Sequence, residues 1–420
     1  MEKTRVALVR QGEQTVFEAV KEAVDRIGGI GNYLKRGQSV ILKPNYTGNV
    51  PEDTGGVTSC RVLESVIRLV KEGGAGEVTI LEGCGTIALG TQRIFENLGV
   101  TDLAAKYGVR LLDANLLPMR IVKDEKLCEM GSLAIAEPVF DGSLIINIPV
   151  MKTHPLVEVT VAMKNMNGLL SPADKRRFHE VNLRKAIAEY HTVLPPYLTI
   201  VDGLTGMEGM GPVEGMPVPL GVIMAGENPA AVDAVAARVM GFCPEKIPYL
   251  QYAKKAGIGP VSEEEIEVTG AAIEEVRREF APALPEPACY PGVKIWDEPS
   301  PTRCIGCRAV MSIALNRLKA AGDLPEFEGM GILINKSPES PIELTESSHL
   351  FCIGACTRDY YEKHKNKLGI HFIPGCAPAG LTVEDTFRGI YNIPRTNTEI
   401  TAALPVTHSP TDVSAPLMPR

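Results

Sequence analysis

Apolar positions fall into short solid runs and helical stripes that alternate along the first two thirds of the chain. Residues 4–10 predict a strand. Val16–Ile27 predicts a helix whose apolar face is Val16, Ala19, Val20, Ala23, Val24 and Ile27, and Gly28–Gly31 stops it. Ser39–Leu42 predicts a second strand, running into Lys43-Pro44-Asn45. Cys60–Glu72 reads as an amphipathic helix ended by Gly73-Gly74. Val78–Leu81 is a third strand, ending in Glu82-Gly83, and helices over 91–98 and 101–107 lead to a fourth, Val109–Leu112. Strands alternating with helices imply an α/β fold: a doubly wound, largely parallel or mixed sheet with helices on both faces. Right-handed crossovers gather strand ends on one edge. Lys43, Asn45, Glu82 and the stretch from Asn147 to Leu170 are therefore expected to converge there.

Residues 119–135 break the alternation and predict a small antiparallel excursion. Leu144–Ile148 returns to the sheet core. Val181–Val193 predicts a helix and Tyr197–Val201 a strand ending in Asp202-Gly203. The stretch DGLTGMEGMGPVEG, Asp202 to Gly215, reads as a glycine-rich loop. It matches neither a Walker A loop nor the dinucleotide fingerprint. A strand (Leu220–Ala225), helices Ala230–Met240 and Pro248–Ala256, and a strand (Glu265–Val268) follow, with Asn228 capping the first helix.

The chemistry centres on NIPVMKTHPLVEVTVAMKNMNGLL, from Asn147 to Leu170. It sets Lys152, Thr153, His154, Lys164, Asn165, Asn167 and Gly168 at the end of a buried strand. Packing alone seldom places such residues there, and strand ends of open α/β sheets are where ligands bind. The competing reading is a polar loop with capping asparagines. In the functional reading, Lys43, Lys152 and Lys164 bind an anionic group as point charges. His154, or His179 after the basic loop at 175–178, moves the proton. Asp202 or Asp233 orients a His or a Lys. Asn45, Asn165, Gly209 and Gly211 complete the ligand-binding set.

Composition narrows the partners. The 420 residues are 45% hydrophobic and 22% charged, with net charge −8, which disfavours nucleic acid. No apolar run approaches the about 20 residues of a membrane helix, and no signal peptide is evident, so a cytoplasmic location without membrane contact is expected. Ten cysteines in a reducing compartment do not predict a disulfide framework.

Five of those cysteines lie between Cys304 and Cys376. Cys304-Ile305-Gly306-Cys307 is a CxxC opening a helix-like run, Ala309–Ala321, and Cys376 has Pro378 close behind. Cys304, Cys307, Cys356 and Cys376 are the expected ligands of a 4Fe–4S cluster, with Cys352 as the alternative to Cys356. Zinc is the competing occupant. The expected organisation is an α/β domain over 1–280, a proline-rich linker over 281–302, a small cysteine-rich iron–sulfur domain over 303–390, and an extended tail over 391–420.

Four segments taken together, PVMKTHPLVEVTVAMKNMNGLL, His179, IVDGLTGMEGMGPVEG and NPAAVDAVAARVMGF, resemble the domain-of-unknown-function family numbered 362. The resemblance runs from about Thr4 to Phe242. It implies an iron–sulfur-centre protein whose reaction is generally unassigned. Many relatives carry a compact run of cysteines, whereas here they are dispersed over 304–376. The leading expectation is an oxidoreductase or electron-transfer protein passing electrons between a 4Fe–4S cluster and a small anionic ligand at the Lys/His site. A redox partner such as a ferredoxin and a homodimer accompany it. The alternatives are a non-redox lyase or isomerase with a structural or Lewis-acid cluster, and a protein delivering clusters or electrons to a partner.

Overall fold

Strand β1 (Thr4–Arg10) is buried from Val6 to Val9, and its alternate residues enter two different cores. Helix α1 (Val16–Arg26) begins at a capping box, in which Thr15 and Glu18 each accept the other's backbone N–H. Strand β2 (Val40–Pro44), helix α2 (Cys60–Glu72), strand β3 (Val78–Glu82), helices α3 (Thr91–Asn97) and α4 (Val100–Tyr107), and strand β4 (Arg110–Asp113) follow the predicted order. The computed structural model describes residues 3–85, 90–178, 181–213, 215–283, 290, 292–297, 306–323, 327, 329–334, 342–343, 348–374 and 380–394.

Strands β5 (Met119–Lys123) and β6 (Ser132–Ala136) form the antiparallel excursion the pattern predicts. The chain returns through β7 (Leu144–Ile148), β8 (Val150–His154) and β9 (Glu158–Thr160) to helices α5 (Ala162–Asn165), α6 (Pro172–Arg177) and α7 (Leu183–His191). A long hairpin, β10 (Leu198–Glu208) and β11 (Met216–Gly226), precedes α8 (Pro229–Val239), α9 (Pro248–Lys255), β12 (Ile266–Gly270) and α10 (Ile273–Val276).

Among the described residues the large sheet runs β12-β1-β11-β10-β7-β2-β3-β4, with β8 pairing β10 and β9 pairing β8. Along that path only β11 is antiparallel to its neighbours, so the sheet is mixed. Ile41 packs in one core with α7, α8 and α9. Val40 and Leu42 pack in the other with α1 and α2. Helices therefore cover both faces, as expected.

Two expectations are corrected. The stretch from Asp202 to Gly215 is not one loop, because β10 continues through Glu208 and pairs with β11. Gly203, Gly206, Gly211 and Gly215 serve close packing, whereas Gly209 (φ +73°) serves the turn. A Cβ at Gly203 would lie 2.6 Å from Val222 Cγ2, and one at Gly206 2.9 Å from the Met151 carbonyl. Second, the segment read as a linker contains a strand, β13 (Val293–Asp297), paired in parallel with β14 (Met330–Ile334).

Beyond β13 the described residues form their own parallel sheet, β13-β14-β15-β16, with β15 (His349–Ile353) and β16 (Ile370–Ile373). Helices α11 (Gly306–Ala320) and α13 (Gly380–Tyr391) pack on one face through Met311, Leu315 and Phe387. Tyr360 of α12 (Arg358–His364) packs on the other. This region thus holds an apolar core of its own, which the sequence reading did not anticipate. Residues 395–420, most of the expected tail, lie outside the described residues.

Candidate functional site

The chain steps outward from β2 to β3 and β4, then returns to β7 on the opposite side of β2. The C-terminal ends of β2 and β7 therefore flank a topological switch point, where α/β sheets bind ligands. Lys43 of β2 lies in register with Asn147 of β7. Asn165 Nδ2 donates to Asn147 Oδ1 (2.7 Å), and Asn165 Oδ1 accepts from Asn45 Nδ2 (2.8 Å). The expected convergence of Lys43, Asn45, Glu82, Lys152 and Asn165 is observed.

Three lysines in this site are saturated. Lys43 Nζ donates to Pro44 O (2.6 Å), Glu82 Oε2 (2.9 Å) and Asn165 Oδ1 (3.4 Å). Lys152 Nζ donates to Asn45 Oδ1 (2.6 Å), Gly56 O (2.8 Å) and Pro212 O (3.2 Å). Lys175 Nζ donates to Asn115 Oδ1 (2.7 Å), Gly83 O (2.8 Å) and Cys84 O (3.3 Å). Three acceptors each match the three N–H groups of an ammonium. Burial opposes the charge: it pushes Lys152 down to about 7, helped by the neighbouring Lys164, and Lys175 down to about 8. Burial also lowers Lys43, against the pull of Glu82. The hydrogen-bond sets hold all three as ammonium groups at neutral pH, because a neutral amine would leave one buried acceptor unmet.

Lys164, in α5, differs. It is only partly buried, and its side-chain amine makes no hydrogen bond or ion pair among the described residues. Burial pushes its amine down to about 8. Three residues on, Asn167 buries its Oδ1 with no donor. Among the described residues Glu82 is the carboxylate that ion-pairs in this group: Oε2 accepts from Lys43 and from Tyr46 N, and Oε1 from Gly83 N. The site therefore carries more positive than negative charge.

Backbone packs tightly around it. A Cβ at Gly168 would collide with Glu82 Oε1 and lie 2.7 Å from Lys43 Cε. One at Gly83 would lie 2.6 Å from Lys175 Nζ. Gly209 and Gly211 sit in the turn of the β10–β11 hairpin. Thr153 Oγ1 donates to Gly209 O (2.9 Å), and a Cβ at Gly211 would collide with the Thr153 carbonyl. That turn reaches the lysines through Pro212 O.

Asp202 and Asp233 act mainly on backbone. Asp202 accepts from Ser59 N (2.8 Å) and Leu204 N (3.1 Å), so it holds the start of α2 rather than a His or Lys. Burial raises its carboxyl to about 6. Asp233 accepts from Ala162 N (2.6 Å), Met163 N (3.2 Å) and Tyr249 OH (2.9 Å), and so fixes the helix that bears Lys164 and Asn165. His154 is buried at the end of β8, and its Nδ1 accepts from Leu156 N (3.0 Å). His179 lies outside the described residues. Sequence reasoning missed Lys175, whose partners are carbonyls distant in the chain. It also missed Asn147, which looked like part of an apolar strand.

Of the expected cluster ligands, Cys304 and Cys376 lie outside the described residues. Cys307 is buried near the start of α11, and Cys356 is exposed just after β15. Cys352 packs among Leu333, Ile342, Leu350 and Tyr360, and burial pushes its thiol up to about 12. A thiol in that setting behaves as a core residue. Among the described residues no group of three or more His, Cys, Asp or Glu side chains is placed to hold a metal ion, and no helix is long and apolar enough to cross a membrane.

Comparison with known proteins adds the following. Residues 40–238 match the family model described as a domain of unknown function, DUF362. A thylakoid-associated protein of Synechocystis sp. is 27% identical over 258 residues, 60% of this chain and 78% of that protein. A crystal structure of a Thermotoga maritima protein covers 85% of this chain and 87% of its own, at 13% identity and TM-score 0.40. The lactate racemase apoprotein of Thermoanaerobacterium thermosaccharolyticum covers 57% of each chain, at 13% identity and TM-score 0.36. Structural likenesses this distant fix neither fold nor chemistry. Over residues 40–238 this chain resembles the DUF362 family, as its motifs imply.

Proposed function

We propose that the α/β domain is a non-redox enzyme, a lyase or isomerase, acting next to the carbonyl or carboxylate of a small anionic substrate. One observation carries this reading: Lys164 is a partly buried amine without a protein partner among the described residues, in a site holding more lysines than acids. Lys43, Lys152 and Lys175 are fixed by their acceptors and supply a preorganised positive field. Lys164 has donors left over for the substrate. An anion there offsets the mutual repulsion of Lys152 and Lys164, so binding takes up protons and weakens as pH rises through about 8.

The test is calorimetric titration of the full chain with pyruvate and with inorganic phosphate at about pH 7. Saturable binding of either, lost in Lys164→Met, supports the site. Binding unchanged in that variant, or no binding of either anion, overturns it.

A second reading keeps the redox expectation. It is favoured by the Gly354 N–H, which donates to Ile373 O (2.9 Å) and ties the turn bearing Cys356 to the end of β16. Cys376 follows three residues later in sequence. Cys304, Cys307, Cys356 and Cys376 would hold a 4Fe–4S cluster, which supplies single electrons when bound. A redox partner such as a ferredoxin belongs to this reading. Anaerobic iron and acid-labile sulfide analysis, with EPR before and after dithionite, tests it. About four of each per chain and a signal on reduction support it, and zinc or no metal removes it.

A further inference from the structure

We propose that Lys164 is a nucleophile that forms an imine with the carbonyl carbon of a 2-oxo acid. This inference rests on the anion-site reading and names the substrate class for it. The saturated lysines cannot serve. Lys43, Lys152 and Lys175 each direct three N–H groups at protein acceptors, so attack by any of them would first break a buried hydrogen-bond set. Lys164 breaks none.

Its surroundings favour the free amine. Burial disfavours its charge, no carboxylate among the described residues stabilises it, and Lys152 interacts with it as a like charge. A lysine desolvated beside another cation is the arrangement that activates an amine toward carbonyl groups. The lysines that remain charged match the carboxylate of a 2-oxo acid. Asn167 Oδ1, buried without a donor three residues away, offers an acceptor for the hydroxyl of the intermediate carbinolamine.

The step balances without a cofactor. The Lys164 ammonium releases one proton to solvent. Its nitrogen then attacks the carbonyl carbon, and a carbinolamine forms. The carbonyl oxygen leaves as water with the amine's two remaining protons, giving a C=N bond. Protonation of that nitrogen creates a cation adjacent to the bond to be broken, which is the electron sink that lyase and isomerase chemistry needs. The α5 backbone N–H groups held by Asp233 keep the nucleophile in place.

The experiment incubates the full chain with pyruvate at about pH 7, then adds sodium borohydride, which delivers hydride to the imine carbon. Peptide mass spectrometry locates the resulting secondary amine. The expected result is one reduced pyruvate per chain, on Lys164. A shift from 10.5 to about 8 raises its free-amine fraction on the order of 100-fold above an ordinary lysine, so labelling at Lys164 should exceed surface lysines by a comparable factor. Lys164→Arg, which keeps the charge and forms no imine, should lose the adduct while still binding phosphate by calorimetry. Adducts spread evenly over surface lysines, or unchanged in Lys164→Arg, overturn the inference. Pyruvate binding without any trapped adduct overturns the imine alone. Absence of both binding and adduct overturns the anion site with it.

Discussion

Replacing Glu82 by Gln removes the carboxylate paired with Lys43 and leaves the shape of the site nearly unchanged. The two side chains are 1% and 2% exposed. Breaking a buried pair by removing one partner costs about 3–5 kcal/mol. An independent limit comes from the lysine itself. A buried amine can shed its proton, and for an ordinary value of 10.5 at about pH 7 that costs roughly 5 kcal/mol, at about 1.4 kcal/mol per unit. The two figures agree. They also predict a pH dependence. In the variant, Lys43 is depressed further below 10.5, so the unfolded chain binds the extra proton and stability rises with pH up to about 10.5. The gap to wild type should narrow by up to roughly 3 kcal/mol between about pH 7 and about pH 9.5. Denaturation followed by circular dichroism reports the large sheet. Trp296, the single tryptophan, lies in β13 and reports the small sheet separately. A gap below about 1 kcal/mol, or one equal at both pH values, would show that Lys43 is not held as a buried charge.

Lys164→Met should not lower stability at neutral pH and should raise it, because it removes a partly buried cation that has no protein partner among the described residues and that burial disfavours. It should also abolish the rise in stability that wild type gains from this group between about 8 and 10.5, where the unfolded lysine holds its proton and the folded one does not. Gly168→Ala forces a methyl against Glu82 and Lys43, so a loss of about 1–3 kcal/mol and of anion binding is expected by denaturation and calorimetry. Asp233→Asn leaves one of the α5 N–H groups without its acceptor. It should cost about 1–3 kcal/mol at neutral pH. The folded wild-type carboxyl keeps its proton up to about 7 against an ordinary 3.8, so its contribution weakens as pH rises across that window, and the variant should lose this slope. Cys352→Ala should leave any bound iron unchanged and lower stability, as expected of a core thiol.

Much of this was legible in the chain. The bounds of β7 and α2 follow from uninterrupted apolar runs and helical stripes. Collecting strand ends on one edge brought Lys43, Asn45 and Glu82 to the Asn147–Leu170 stretch. Other features depend on contacts that periodicity does not encode. The glycines of β10 looked like a loop because the side chains that exclude a Cβ, Val222 and Phe280, lie elsewhere in sequence. Asp202 and Asp233 accept mainly from backbone N–H groups, Asp233 from Tyr249 OH as well, and such partners leave no trace in a sequence pattern. The second sheet escaped notice because its strands are short and the cysteines between them dominated the reading. Which lysine lacks a partner among the described residues is a tertiary fact, since four look alike in one dimension.

The most direct measurement is NMR of the full chain with 13Cε-labelled lysine, titrated with and without pyruvate. The account predicts a resonance, missing in Lys164→Arg, that titrates near about 8 and moves to higher pH or disappears when pyruvate is added. A Lys164 signal that titrates near 10.5, and does not respond to pyruvate, would contradict it.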